Sequence, residues 1–220
     1  MSDDQKASFD RPADGPEATL PGFEHVNRYW NRGMGVFIAK ILPGEFYVTK
    51  TDELIATTLG SCVSACIWDP ENKIGGMNHF MLPLTDKDAK EVTWGNIASD
   101  ATRYGNYAME HLVNEMLKYG AIRRNLRAKV FGGGKVLSQA TDVGAKNADF
   151  VLLYLHQENI KLEAQDLGDV YPRKVLFDPK TGKAKMKRIQ VQNNETIINR
   201  ERDYRKSINQ APVEGDIELF

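Results

Sequence analysis

This 220-residue chain has only two cysteines, Cys62 and Cys66. Two are too few for a disulfide framework, which argues against a small secreted scaffold and fits a reducing compartment. On an extended segment the pair would stand about 13 Å apart, at roughly 3.3 Å per residue, too far to be bridged. With no second pair of ligands nearby, Cys-x3-Cys is also a poor zinc site. A membrane-spanning run is missing too, since no uninterrupted apolar stretch approaches the length of a bilayer core. The first residues, Met1-Ser2-Asp3-Asp4-Gln5-Lys6, are acidic and polar where a signal peptide would be basic and then apolar. A cytoplasmic location without membrane insertion is therefore expected. Charge of one sign is lacking as well: 29 Lys plus Arg face 30 Asp plus Glu, a formal net charge of -1, so no global attraction to nucleic acid is expected.

What is present is the composition of a soluble globular domain, with 41% hydrophobic and 27% charged residues. Residues 1–21 are rich in Asp, Pro, Gly, Ala and Glu, with little apolar surface to offset the entropy of ordering, and read as a flexible tail. Residues 22–192 read as the folded domain. Residues 193–220, polar and without a clear apolar face, read as a peripheral extension. Inside the domain, strands are expected at Leu54–Thr58, Cys62–Trp68, Gly75–Leu82, Lys129–Phe131, Ile160–Ala164, Lys174–Asp178 and Lys185–Val191. Asp178-Pro179-Lys180-Thr181-Gly182 has turn residues where a hairpin wants them. Tyr104, Ala108, Leu112 and Met116 recur at a spacing of four, predicting a helix from Ser99, a plausible N-cap, to Tyr119, stopped by Gly120. A second helix is expected over Asn147–Glu158. These elements make an α+β domain of layered sheets flanked by helices.

Chemistry concentrates in Thr57-Thr58-Leu59-Gly60-Ser61-Cys62-Val63 and in Gly75-Gly76-Met77-Asn78-His79-Phe80, two strands flanking one turn. If Asp69–Asn72 is the loop and Trp68 opposes Lys73, Cys62 falls opposite His79 on one face, with Cβ atoms about 5 Å apart. A slip of one residue would throw His79 to the other face. The pairing matters because the thiolate is the nucleophile, and a free thiol with a pKa of about 8.5 is mostly protonated at neutral pH. An adjacent imidazole supplies the base. Gly60 and Ser61 allow a tight turn whose amides could hold an oxyanion. Thr58, with Thr57 as the alternative, could accept a hydrogen bond from one imidazole nitrogen while the other faces sulfur. Cys66 reads as a small buried hydrophobe. Phe131-Gly132-Gly133-Gly134-Lys135 lacks the spacing of a phosphate loop and reads as a strand-ending turn.

Taken in order, Leu59-Gly60-Ser61-Cys62-Val63, Gly75-Gly76-Met77-Asn78-His79-Phe80-Met81-Leu82-Pro83, Ala128-Lys129-Val130-Phe131-Gly132-Gly133-Gly134, Val143-Gly144-Ala145-Lys146-Asn147, Asp166-Leu167-Gly168, Arg173-Lys174-Val175 and Thr181-Gly182 resemble the chemoreceptor glutamine deamidase family, CheD, over about residues 35–191. The resemblance implies Cys62 as nucleophile, His79 as base and an upstream threonine as third residue. It departs at Ala56, where the family pattern has its threonine. It also implies a fold similar to the cytotoxic necrotizing factor type of cysteine hydrolase and a reaction without metal or organic cofactor. The implied partners are the cytoplasmic domains of methyl-accepting chemotaxis receptors, with a CheC-type phosphatase as a further partner. Hydrolysis of glutamate methyl esters could follow the same route. The competing reading is a regulatory partner of that phosphatase with dispensable catalysis.

Overall fold

A computed structural model describes residues 8–83, 100–136, 143–189 and 195–210. Ten strands form two sheets: β1 (Asn27–Asn31), β2 (Val36–Lys40), β3 (Phe46–Thr49), β4 (Glu53–Leu59), β5 (Val63–Asp69), β6 (Ile74–Asn78), β7 (Arg127–Gly132), β8 (Lys161–Leu167), β9 (Arg173–Phe177) and β10 (Ala184–Arg188). The three helices among the described residues are α1 (Asp100–Lys118), α2 (Val143–Gln157) and α3 (Glu195–Gln210). One sheet runs β1-β2-β4-β9-β10 and the other β3-β6-β5-β7-β8. Each is mixed, because β2 pairs parallel to β4 and β7 parallel to β8 while the remaining pairs are antiparallel. The α+β layered architecture read from the pattern is the architecture observed.

The second sheet is the middle layer. All seven residues of β5 and all five of β6 are buried, because α1 and α2 cover one face and the first sheet covers the other. A strand buried on both faces reads as a continuous run of apolar and small residues, as Val63-Ser64-Ala65-Cys66-Ile67-Trp68 does. The layers meet where Trp68 stacks edge-on against Phe177, centroids 6.1 Å apart.

The predicted helices are present with shifted limits. The expected N-cap of α1, Ser99, lies outside the described residues, and Gly120, at φ 105°, ends it as expected. The second helix begins at Val143, four residues earlier than read, because Gly144 there lets the helix touch the turn after β7: a Cβ on it would lie 2.4 Å from the Gly133 carbonyl oxygen. Strands β1, β2 and β3 were not expected. They are short, and their neighbouring turns masked the alternation.

Two terminal segments differ from the expectation. Within the segment read as a tail, the Phe9 amide donates to the Arg32 carbonyl at 2.8 Å, and the Trp30 indole donates to the Phe9 carbonyl at 3.1 Å. Residues 193–220 were read as peripheral, yet α3 buries Glu201 to 1% exposure. Its inward positions, Ile197, Ile198, Glu201, Tyr204 and Ile208, follow helical spacing. A charged residue in the middle of that stripe concealed it.

The loop joining β5 and β6 also differs. Trp68 pairs with Gly75 and Asp69 with Ile74, and the bridge Val63 to Phe80 continues the same register. Trp68 does not oppose Lys73, as the four-residue loop 69–72 would require. The pairing is moved by two residues, with Lys73 held at φ 51° in the turn. Because side chains alternate with a period of two, a shift of two preserves the face, and His79 stays on the side of Cys62.

Candidate active site

Cys62 sits in the turn between β4 and β5, and His79 follows directly after β6. The Cys62 sulfur and a ring nitrogen of His79 lie within 4.8 Å of one another, and both residues are buried, at 0% and 1% exposure. The backbone of His79 is pinned outside the regular ladder: its amide donates to the Glu45 carbonyl at 2.9 Å, and its carbonyl accepts from the Gly44 amide at 2.8 Å.

Thr57 decides the tautomer. Its hydroxyl donates to the Ile41 carbonyl at 2.9 Å and lies 2.8 Å from His79 Nδ1. A hydroxyl has one proton. With that proton on Ile41, the oxygen accepts from Nδ1, so the neutral ring carries its hydrogen there and its lone pair on Nε2. That second nitrogen has no hydrogen-bond partner among the described residues. Burial, followed by the charge of Arg200, pushes the His79 pKa down to about 3, so the ring is neutral at ordinary pH and able to accept a proton.

Thr58, read first as the third residue, is the neighbour on the opposite face of β4 and is half-buried, registered against Lys174 of β9. The contact belongs to Thr57, which the sequence offered as the alternative. Position 56, where the family pattern has its threonine, shares strand parity with Thr58, but β4 presents residue 57 to the imidazole.

The turn carrying Cys62 is held by groups that local sequence patterns do not place in the site. Asn147, fully buried near the start of α2, donates to the Ser61 carbonyl at 2.8 Å and accepts from the Leu82 amide at 2.8 Å. The Gly133 amide donates to the Cys62 carbonyl and the Gly134 amide to the Gly60 carbonyl, both at 2.8 Å. The glycine run is thus a strand-ending turn that clamps another turn, and close backbone approach is what its glycines supply. Cys66, in mid-strand with 0% exposure, is a core residue with its thiol pushed up by burial.

The family model for CheD chemotactic sensory transduction matches residues 81–188. A probable chemoreceptor glutamine deamidase CheD of Halorhodospira halophila is 51% identical over 202 residues, covering 91% of this chain and 93% of its own length. The protein of the same description from Hahella chejuensis is 48% identical over 205 residues, covering 93% of this chain and 95% of its own. The chain belongs to the CheD family. Among solved structures, the Bacillus licheniformis hypothetical protein YfiH covers 56% of this CheD chain and 51% of its own length at 14% identity, with a TM-score of 0.37, a likeness on which nothing is built. No helix among the described residues is long and apolar enough to cross a membrane.

One further side chain enters the site. Glu201 of α3 accepts from the amides of Gly60 and Ser61 at 2.8 Å each, from the Ser61 hydroxyl at 2.8 Å and from the Cys62 amide at 3.2 Å. The Cys62 sulfur, a His79 nitrogen and a Glu201 oxygen all lie within 4.8 Å of one another, a grouping that could suggest a metal site. The chemistry argues otherwise, because a carboxylate has about four lone-pair positions and Glu201 has all four engaged. Burial and then the Glu201 charge hold the Cys62 thiol well above its usual range. The Cys62 thiol is as buried as that of Cys66, and Glu201 of α3 lies against it.

Replacing Thr57 by valine should leave the Nδ1 hydrogen unpaired in a buried place, a loss of about 1–3 kcal/mol. Turnover should fall by roughly 10 to 100-fold on that scale, with its pH profile displaced, while Thr57→Ser keeps most of it and Thr58→Val is near neutral. Equal losses in Thr57→Val and Thr58→Val would remove Thr57 from the site.

Proposed function

We propose that this protein deamidates glutamine side chains on the cytoplasmic domains of methyl-accepting chemoreceptors, acting in the cytoplasm. The observation that carries the reading is the line from Thr57 through His79 to Cys62, in which the imidazole lone pair is left for the thiol. The names of the relatives supply the substrate class.

In the reaction, Nε2 of His79 takes the Cys62 proton and the sulfur attacks the glutamine carboxamide carbon. The negative oxygen that develops is met by the amides of Gly60, Ser61 and Cys62, three donors that already converge on one carboxylate. The carbon–nitrogen bond breaks as the imidazolium returns its proton to the leaving ammonia, and a thioester remains. Water, deprotonated by His79, then cleaves the sulfur–carbon bond to give glutamate and the free thiol. A glutamate methyl ester, losing methanol in place of ammonia, fits the same steps. The layered sheets and the nucleophile turn also support a likeness to the cytotoxic necrotizing factor type of cysteine hydrolase.

The test is incubation with receptor cytoplasmic domains from the same organism, read by peptide mass spectrometry. Parent protein should convert specific glutamines to glutamate and Cys62→Ala should convert none. If Cys62→Ala restores chemotaxis fully in a deletion strain, the role is binding, as in a regulatory partner of a CheC-type phosphatase.

A further inference from the structure

Glu201 has no part in the catalytic steps, yet it is the best-satisfied carboxylate in the active site. A buried carboxylate is unfavourable unless hydrogen bonds and geometry compensate it, and here four hydrogen bonds from the Cys62 turn do so. Gly60 makes room for it: a Cβ at that position would lie 2.7 Å from Glu201 Oε2 and 2.9 Å from its carboxyl carbon. One turn further along α3, the Tyr204 hydroxyl is hydrogen-bonded to that of Tyr104, and the Tyr204 ring lies over Gly44, where a Cβ would meet it at 2.9 Å. Beside this second anchor is a cavity of about 260 Å³ lined by Gly44, His79, Tyr104, Tyr107 and His111. A helix with its outer face in solvent therefore lies on the site and inserts a glutamate side chain, held by the amides assigned to the oxyanion, within reach of the nucleophile.

We propose that α3 is a resident product mimic that occupies the docking groove of the substrate helix, with Glu201 in the position of the glutamate that deamidation yields, so that an incoming helix must displace it before Cys62 reacts. The assignment rests on the deamidase reading for what the groove accepts, whereas closure by α3 rests on the contacts of Glu201 and Tyr204. Glutamate on a helix is chemically the product of glutamine on a helix. Its charge beside the thiol also disfavours the thiolate, so the closed state is unreactive as well as covered.

Full-length variants test this. In Glu201→Ala, iodoacetamide should label Cys62 at least about tenfold faster than in the parent, as expected when a closed state gives up most of its population. Tyr204→Phe, which keeps the ring and removes the Tyr104 hydrogen bond, should move in the same direction by less. Cys66 is the internal control. Unchanged Cys62 labelling in both variants, or Cys66 labelling that rises in parallel, would overturn the closure.

Glu201→Gln tests the product assignment, because it sets a glutamine carboxamide against Cys62 in the same chain. Sulfur attack, loss of ammonia with the proton from His79, and cleavage of the thioester by water would regenerate Glu201. Peptide mass spectrometry should find glutamate at position 201 in this variant and glutamine in the Glu201→Gln, Cys62→Ala double variant. Glutamine retained with Cys62 intact would overturn the assignment. Labelling involves no receptor, so the two readings fail separately. Accelerated labelling without receptor deamidation by parent or Glu201→Ala keeps the closure and removes the deamidase, and the reverse result removes the closure alone.

Discussion

His79→Ala should lower receptor deamidation by about 100 to 10,000-fold, the usual worth of a positioned acid or base, with a much smaller effect on substrate binding because the ring acts in the transition state. Raising the pH should recover part of the acylation rate, since hydroxide then ionises the thiol without help. His156→Ala is the control: it lies exposed near the end of α2 and should keep full activity. Alanine also leaves Thr57 without its ring partner in a buried place, so His79→Gln, which fills more of the space, should accompany it. Deamidation by both variants at the parent rate would refute a Cys-His mechanism even if Cys62 proved essential.

The same residue links stability to pH. Its folded pKa is lowered from 6.5 to about 3, so the folded state binds fewer protons than the unfolded chain between those values. That contribution is fully present above about pH 6.5 and is lost as pH falls toward 3. Thermal melting of the parent should therefore decline on acidification through that window, and His79→Gln should show a flatter profile. An identical slope in the two proteins would mean that His79 is not held neutral by the fold.

Gly132→Ala is expected to cause the largest structural loss of any single methyl addition at the site. The residue has φ 114°, a conformation that side chains rarely adopt, and a Cβ there would lie 2.1 Å from the Cys62 carbonyl oxygen. That oxygen also accepts from Gly133, so the clash falls on the turn that carries Cys62. A loss on the order of 3 kcal/mol is expected from strain and contact together, which corresponds to roughly 10 °C in melting temperature for a domain of this size. Gly168→Ala separates the two causes. It has φ 75° with nothing within 4 Å of the added carbon, and should lose only about 1 kcal/mol. Equal losses in the two variants would show that backbone strain alone, and not the approach to Cys62, sets the requirement for glycine at 132.

Much of this site was legible in one dimension. Cys62 and His79 stand out because a thiol after Leu-Gly-Ser and an imidazole after Gly-Gly-Met-Asn flank a single turn, and because strand periodicity tolerates a two-residue shift in the loop. A hydrophobic pattern specifies which face a residue occupies, and that is a parity, so any even slip is invisible to it. The choice between Thr57 and Thr58 was not legible for a related reason: it depends on which face of β4 meets the histidine, and β4 and β6 belong to different sheets whose packing no local pattern encodes. The carbonyl of Ile41, which takes the Thr57 proton and so sets the tautomer, lies sixteen residues away in sequence.

The sequence alone determined the class of the protein: an α+β domain with a cysteine just before one strand and a histidine just after its neighbour, since residue type, local spacing and turn chemistry suffice for that. The tertiary structure decided what surrounds them. Asn147 through its side-chain amide, and Gly133 and Gly134 through their backbone amides, reach the Cys62 turn from distant segments by contacts that depend on close approach and carry no periodic signal. Glu201 lies 139 residues beyond Cys62, on a helix whose inward stripe is interrupted by its own charge. Only folding reveals that the interruption is the contact, because a carboxylate among isoleucines reads as an exposed residue until the amides that satisfy it are brought to it.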